Sequence, residues 1–288
     1  MQIRTDLALE QHELNPEVEG IESEEITVGK AKITRITVLN EKGEQAIGKK
    51  RGRYITVEVP PFSDDSGMDE DQITAIKNEL ANMIPKEGVV LVVGLGNTNI
   101  TPDALGPKTA SRVLATRHIT QEFARSIGLE GLRGVAVISP GVLGQTGIET
   151  SEIIMGTIQR VNPSAVIVID ALASRRLARL GCTVQMADTG ISPGSGVGNE
   201  RAEISKDTLG VPVISIGVPT VVDATTLAYD LLGEKPQQSQ LVEPRGAKMI
   251  VTPREIDILI DRAAQLLSHS INCALQPSID PEVLLSLV

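Results

Sequence analysis

Two aspartates stand where aliphatic strands run out. Val89-Val90-Leu91-Val92-Val93 leads through Gly94-Leu95-Gly96-Asn97-Thr98-Asn99-Ile100-Thr101-Pro102 to Asp103, and Ala165-Val166-Ile167-Val168-Ile169 runs straight into Asp170. Unbroken aliphatic runs of this kind read as strands buried on both faces of a parallel sheet. Open α/β sheets take their ligands at the carboxyl ends of such strands. Two carboxylates meeting on that rim split into an acid and a base, because proximity drives their pKa values apart. Spacing alone does not bring them together. Taken singly, Asp103 reads equally well as a first-turn carboxylate complementing a helix dipole, with Thr101 as cap and Pro102 at the first helical position. Gly106-Pro107 offers a slightly later start.

Other chemistries find less support. The Gly94-Leu95-Gly96 turn suggests a dinucleotide fingerprint, but Asn99 stands where the third glycine belongs, and no phosphate-binding G-x-x-x-x-G-K-[ST] occurs. Ser192 and Ser195 sit in a glycine-rich loop without a G-x-S-x-G elbow. His12, His118 and His269 fall in a polar tail and at two helix positions, fit no metal-ligand spacing and read as surface residues. No cofactor is expected, although carboxylates and water can still bind a divalent ion. Asp188, Asp207 and Asp223 are the other carboxylates within reach of the rim. Asp223 opens a helix and reads as a cap, and Asp188 is held in reserve.

The elements that must position these groups follow from periodicity. Residues 1 to about 25 are polar, with Glu17, Glu19, Glu22, Glu24 and Glu25 crowded together, and read as a solvated terminus. Residues 26–59 alternate apolar and polar, with a turn at Asn40-Glu41-Lys42-Gly43, and predict antiparallel hairpins. The basic run Lys49-Lys50-Arg51-Gly52-Arg53 reads as a solvated hairpin edge, with docking of acidic peptides as the alternative. Residues 68–83 predict an amphipathic helix. From Val89 onward strands and helices alternate, which implies a parallel sheet covered on both faces. Strands are expected at 135–138, 181–187 and 213–217, and helices at 149–160, 223–232 and 253–275. The loop Ile191-Ser192-Pro193-Gly194-Ser195-Gly196-Val197-Gly198-Asn199 lets backbone approach a ligand closely, and its N–H groups suit a peptide or an oxyanion. Residues 233–249 read as a long polar connection.

Composition sets the bounds. A 288-residue chain with 41% hydrophobic residues has enough for a core, and with 1% aromatics that core must be aliphatic. A net charge of −10 argues against nucleic-acid phosphates as partners, and aromatics are too scarce for a base-stacking platform. Cys182 and Cys273 are too few for a disulfide framework. No apolar run reaches membrane-spanning length, and the N-terminus lacks the apolar stretch of a signal peptide.

Several motifs together are specific. Gly94-Leu95-Gly96-Asn97, Thr101-Pro102-Asp103-Ala104-Leu105-Gly106-Pro107, Ile169-Asp170-Ala171-Leu172-Ala173 and Ser192-Pro193-Gly194-Ser195-Gly196-Val197-Gly198-Asn199 closely resemble the spore germination proteases, peptidase family A25. Ile3-Arg4-Thr5-Asp6-Leu7-Ala8 and Lys50-Arg51-Gly52-Arg53-Tyr54 extend the resemblance over nearly the whole chain. The core also looks like hydrogenase maturation proteases, whose third ligand, a His, has no match here. The resemblance implies an α/β fold with a parallel-rich central sheet flanked by helices and an N-terminal antiparallel β-hairpin subdomain at about 26–60, the α/β core covering about 68–288. It implies an endopeptidase that degrades small acid-soluble spore proteins in the cytoplasm of the forespore and spore core, assembled as a homotetramer. Asp103 and Asp170 match the essential acids, while Gly94, Gly96, Asn97, Ser192, Gly194 and Gly196 are expected to contact substrate. Residues 1–6 are expected to be a propeptide removed by cleavage between Asp6 and Leu7, leaving 7–288 as the peptidase. A metal-assisted peptidase of the hydrogenase maturation type and a nucleotide-binding α/β module remain the alternatives.

Overall fold

A computed structural model of the protein describes residues 5–64, 69–126, 128–197, 201–232 and 249–288. The expected start of the 68–83 helix, the end of the glycine-rich loop at 198–199 and most of the 233–249 connection lie outside these residues, as do residues 1–4 of the expected propeptide.

Among the described residues nine strands form one sheet: β1 (Ile21–Val28), β2 (Ala31–Val38), β3 (Gly52–Glu58), β4 (Val90–Gly94), β5 (Val135–Ile138), β6 (Ala165–Ser174), β7 (Thr183–Ala187), β8 (Val213–Asp223) and β9 (Ile250–Val251). Their order is β1-β2-β3-β7-β8-β6-β4-β5, with β9 against the end of β8. The strands β8, β6, β4 and β5 are mutually parallel. The strands β1, β2, β3 and β7 are antiparallel and join the parallel part where β7 meets β8. The α/β architecture is therefore present around a four-strand parallel core, but β7, read from the sequence as one of the alternating parallel strands, runs antiparallel to β8. The predicted N-terminal hairpins extend the same sheet through β3 and β7.

Burial explains why the central strands carry unbroken aliphatic runs. Successive side chains point to opposite faces. Val90, Val92, Ile167 and Ile169 pack on one face with the helices Glu70–Met83 and Ile256–Leu275, while Leu91, Val93, Val166 and Val168 pack on the other with Ile154 of the helix Thr150–Val161. Every one of these eight strand residues is fully buried. Strand β1 lies at the sheet edge and is largely exposed, with Glu22, Glu24 and Glu25 on it, a charge pattern that opposes further strand pairing.

Four expectations are corrected. The N-terminus is not wholly solvated: Leu7, Ala8, Leu9 and Glu10 are buried, and Ala8–Leu14 is a helix. The apolar residues Leu7 and Leu9 anchor it while the acidic residues beyond face water. Asn40 to Gly43 is not a hairpin turn. The Asn40 side chain accepts a hydrogen bond from the Gly43 amide and caps the helix Glu41–Ile47. His269 is 4% exposed beside Cys273 rather than on the surface, because a 20-residue helix covering the sheet buries nearly its whole second half. The basic run is solvated as expected at Lys50, Arg51 and Arg53, which stay exposed in ion pairs with Glu203, Glu44 and Asp188, but Lys49 turns inward. Both cysteines are free, Cys273 buried and Cys182 partly so.

Candidate active site

The first carboxylate is placed by a tight exit from β4. The Leu95 amide donates to the Ile169 carbonyl, which carries the β4–β6 pairing one residue past the strand end. Gly96 follows at φ +113°, in the region where a side chain is strained, and a Cβ there would meet the Asp103 carbonyl oxygen at 2.0 Å. Thr101–Asp103 then forms a single 3₁₀ turn, and the helix begins again at Leu105. Both helix starts visible in the sequence are thus used in succession. The Asn97 amide donates to the Asp103 carboxylate at 2.8 Å and to its carbonyl at 3.1 Å. That amide is engaged by a carboxylate rather than offered to a phosphate, as the nucleotide reading requires.

The second carboxylate continues β6 beyond the end of β4. Asp170 is 6% exposed and accepts a hydrogen bond from the Ala171 amide at 2.9 Å. Strand β8 bulges alongside: Leu172 pairs with Pro219 but Ala173 pairs with Val221, so Thr220 is extra. Its hydroxyl donates to the Pro102 carbonyl at 2.8 Å and ties the Asp103 turn to β8. A bulge re-aims a side chain next to a site in this way.

Asp103 and Asp170 line one cleft of about 420 Å³, with Asn97, Gly194 and Thr220. A third carboxylate, Asp6, lines the same cleft. Burial pushes the Asp170 pKa well above the ordinary carboxylate value, and the charges of Asp103 and Asp6 push it further. Burial raises Asp103 too, against the lowering effect of the Asn97 amide. Asp170 is accordingly the weaker acid of the two, and Asp103, more exposed, is the one that ionises first.

Of the expected contact residues, Gly96, Asn97 and Gly194 line the cleft. Gly94 serves packing instead. A Cβ on it would stand 2.3 Å from the Gly106 carbonyl oxygen, so glycine is what lets the Leu105–Ala110 helix sit against β4. Gly196 abuts the Asp6 carboxylate, while Ser192 lies in the turn that begins the loop, its carbonyl accepting from the Ser195 amide. Asp188 is paired with Arg53, and Asp223 caps its helix by accepting from the Thr226 amide, as expected. His118 is exposed and His12 partly buried. Among the described residues no group of three or more His, Cys, Asp and Glu side chains is arranged to hold a metal ion. Among the same residues no helix is long and apolar enough to cross a membrane.

Sequence reasoning missed that Asp6 reaches the cleft and that Lys49 reaches Asp6. The signal was present in Leu7-Ala8-Leu9, an apolar run at the head of an acidic segment, which marks a docked rather than a solvated terminus.

The state of Asp170 has a measurable consequence. Unfolded, it ionises in the ordinary carboxylate range; folded, only at higher pH. Between those values the folded chain binds the extra proton, so stability falls as pH rises through the window, and above it the whole cost persists. Asp170→Asn should therefore melt higher than the parent chain at neutral pH, with the advantage shrinking as pH falls toward the ordinary carboxylate range. Scanning calorimetry across pH checks this, and a variant that melts lower throughout contradicts it.

Comparison with known proteins is consistent in one direction. The sequence model of a family described as germination protease matches residues 2–235. A germination protease of Caldanaerobacter subterraneus subsp. tengcongensis is 46% identical, the alignment covering 96% of this chain and 95% of its own. One of Clostridium perfringens is 42% identical over 96% of each chain, and one of Geobacillus sp. is 36% identical over 97% of this chain and 95% of its own. Among solved structures, a [NiFe] hydrogenase maturation protease HycI from Thermococcus kodakarensis matches with a TM-score of 0.37 at 18% identity, covering 67% of this chain and 98% of that one.

Proposed function

The chain belongs to the germination protease family, and from that membership we propose that it is an endopeptidase that opens the degradation of small acid-soluble spore proteins during germination, made as a self-processing zymogen in the forespore and spore core. The observation that carries the mechanism is that Asp103 and Asp170 line one cleft, where burial raises the Asp170 pKa well above the ordinary carboxylate value. Asp103 takes a proton from the lytic water as it attacks the scissile carbonyl carbon. Asp170 gives its proton to the carbonyl oxygen or the leaving amine, and the C–N bond breaks. The half-exposed Ile100 and Ile250 line the same cleft and offer an apolar rim to a hydrophobic residue beside the cut.

The test is incubation of the purified chain, first held at mildly acid pH, with a small acid-soluble spore protein, read by mass spectrometry. A few discrete fragments are expected. A substrate left intact by a chain that has acquired a Leu7 terminus would overturn the reading.

The same reading includes a homotetramer. Exposed large apolar residues such as Phe123, Leu231 and Ile258 supply surface for it. Light scattering at micromolar concentration should give four times the 30.6 kDa chain mass, and a particle of 30.6 kDa contradicts it.

A further inference from the structure

Asp6 is held the way a bound peptide residue is held. Strand β4 ends with Gly94 opposite Ile169, so the last residues of β6 have an open edge on that side. Asp6 pairs there: its amide donates to the Ala173 carbonyl at 2.9 Å, and its carboxylate accepts from the Ala173 amide at 2.8 Å. Addition of a strand to an open edge is a recurrent mode of peptide recognition. The second carboxylate oxygen accepts from the Ser195 hydroxyl at 2.9 Å. The Lys49 ammonium donates to the Asp6 main-chain carbonyl at 3.0 Å. Gly196 makes the space, since a Cβ on it would stand 2.3 Å from the Asp6 carboxylate and 2.7 Å from the Ala173 side chain. Three distant segments thus converge on a single residue.

We propose that this pocket is a subsite for an aspartate of an extended peptide, in which Ser195 and the Ala173 amide read the side chain, Lys49 holds the same residue's carbonyl, and Asp6 is the occupant supplied by the chain itself. The donor set is selective. An N–H and an O–H converge on two oxygens, which suits an acceptor-only carboxylate; an asparagine has to turn its NH₂ to the Ser195 hydroxyl, which then accepts instead of donating, and it brings no negative charge to Lys49. Lys49 brings its ammonium beside this third carboxylate; burial lowers the Lys49 pKa, and the charges of Asp6 and Glu10 work against that lowering. The subsite rests on the endopeptidase reading only in taking the outside occupant to be substrate.

The probe is the blocked tripeptide acetyl-Arg-Thr-Asp-amide, which has no following residue to be cut off, titrated calorimetrically into full-length chains. Asp6→Ala should bind it at least tenfold more tightly than the parent chain, whose own Asp6 competes. The Asn tripeptide should bind Asp6→Ala at least tenfold more weakly than the Asp one. Adding Ser195→Ala or Lys49→Met should cost fivefold or more. Equal affinity for Asp and Asn peptides, parent binding as tight as that of Asp6→Ala, or no binding to Asp6→Ala would each overturn the subsite. A second readout needs no Asp6 variant. Hydrogen exchange of the Asp6 amide should speed up at least tenfold in Ser195→Ala and in Lys49→Met, and unchanged exchange in both overturns the assignment. A chain that shows this discrimination yet cleaves no protein would keep the subsite and remove the endopeptidase reading.

Discussion

Replacing Asp103 or Asp170 by Asn should each lower proteolysis by about 10²–10⁴-fold, the range that a positioned proton-transfer group contributes. The change keeps side-chain size and leaves one acceptor oxygen. The substituted amide in Asp103→Asn can still accept from the Asn97 N–H, and that in Asp170→Asn from the Ala171 N–H, so the turn and the strand end keep their hydrogen bonds. What each variant loses is a titratable proton. The two losses should not add, because the groups act as a unit: without the base the water is not activated, and without the acid the amine leaves unprotonated. The double variant should therefore be little slower than either single one. Initial rates on a small acid-soluble spore protein, with melting curves as the folding control, make the measurement. Full activity in either folded variant would remove the acid pair from the chemistry.

The second large effect is on the chain itself. Held at mildly acid pH, it should acquire a new N-terminus at Leu7, and the Asp103→Asn chain should not. Thr5-Asp6-Leu7-Ala8 repeats the pattern the family resemblance implies for substrates, an acidic residue before the cut, then a hydrophobic one, then Ala. The local structure supports a slow, triggered event. The Leu7 amide donates to the Thr5 hydroxyl at 3.1 Å, and the Leu7 side chain is fully buried. Thr5 is tied in turn to the buried Glu10 carboxylate, which also accepts from the Arg175 and Arg176 amides at 2.6 and 2.9 Å. The bond must be freed from these contacts before water reaches it. Lower pH favours a singly protonated acid pair. Intact mass and N-terminal sequencing read the outcome. A chain that stays whole from Met1 under every condition, yet digests its substrate, contradicts self-processing.

What the sequence disclosed follows from the range of the interactions involved. The strands around Asp103 and Asp170 were legible because burial on both faces leaves an unmistakable aliphatic run, and β5 was placed to the residue. The α/β class follows from the alternation after Val89. The meeting of the two acids was not legible, since strand order is a long-range property: β4 and β6 are neighbours although some seventy residues separate them. The bulge at Thr220 was equally hidden, as it depends on register with β6. Asp6 and Lys49 were misread for the same reason in reverse. Their neighbours in sequence are polar, and composition there outweighed the short apolar run that docks the segment.

The most direct measurement is the pH dependence of the cleavage rate, taken with the chain that begins at Leu7 and a small acid-soluble spore protein. The account predicts a bell, its acid limb set by ionisation of the first carboxylate and its alkaline limb by loss of the proton held on Asp170, with the alkaline limb abolished in the residual activity of Asp170→Asn. A rate that climbs steadily through neutral pH, with an Asp170→Asn profile of the same shape, would contradict it.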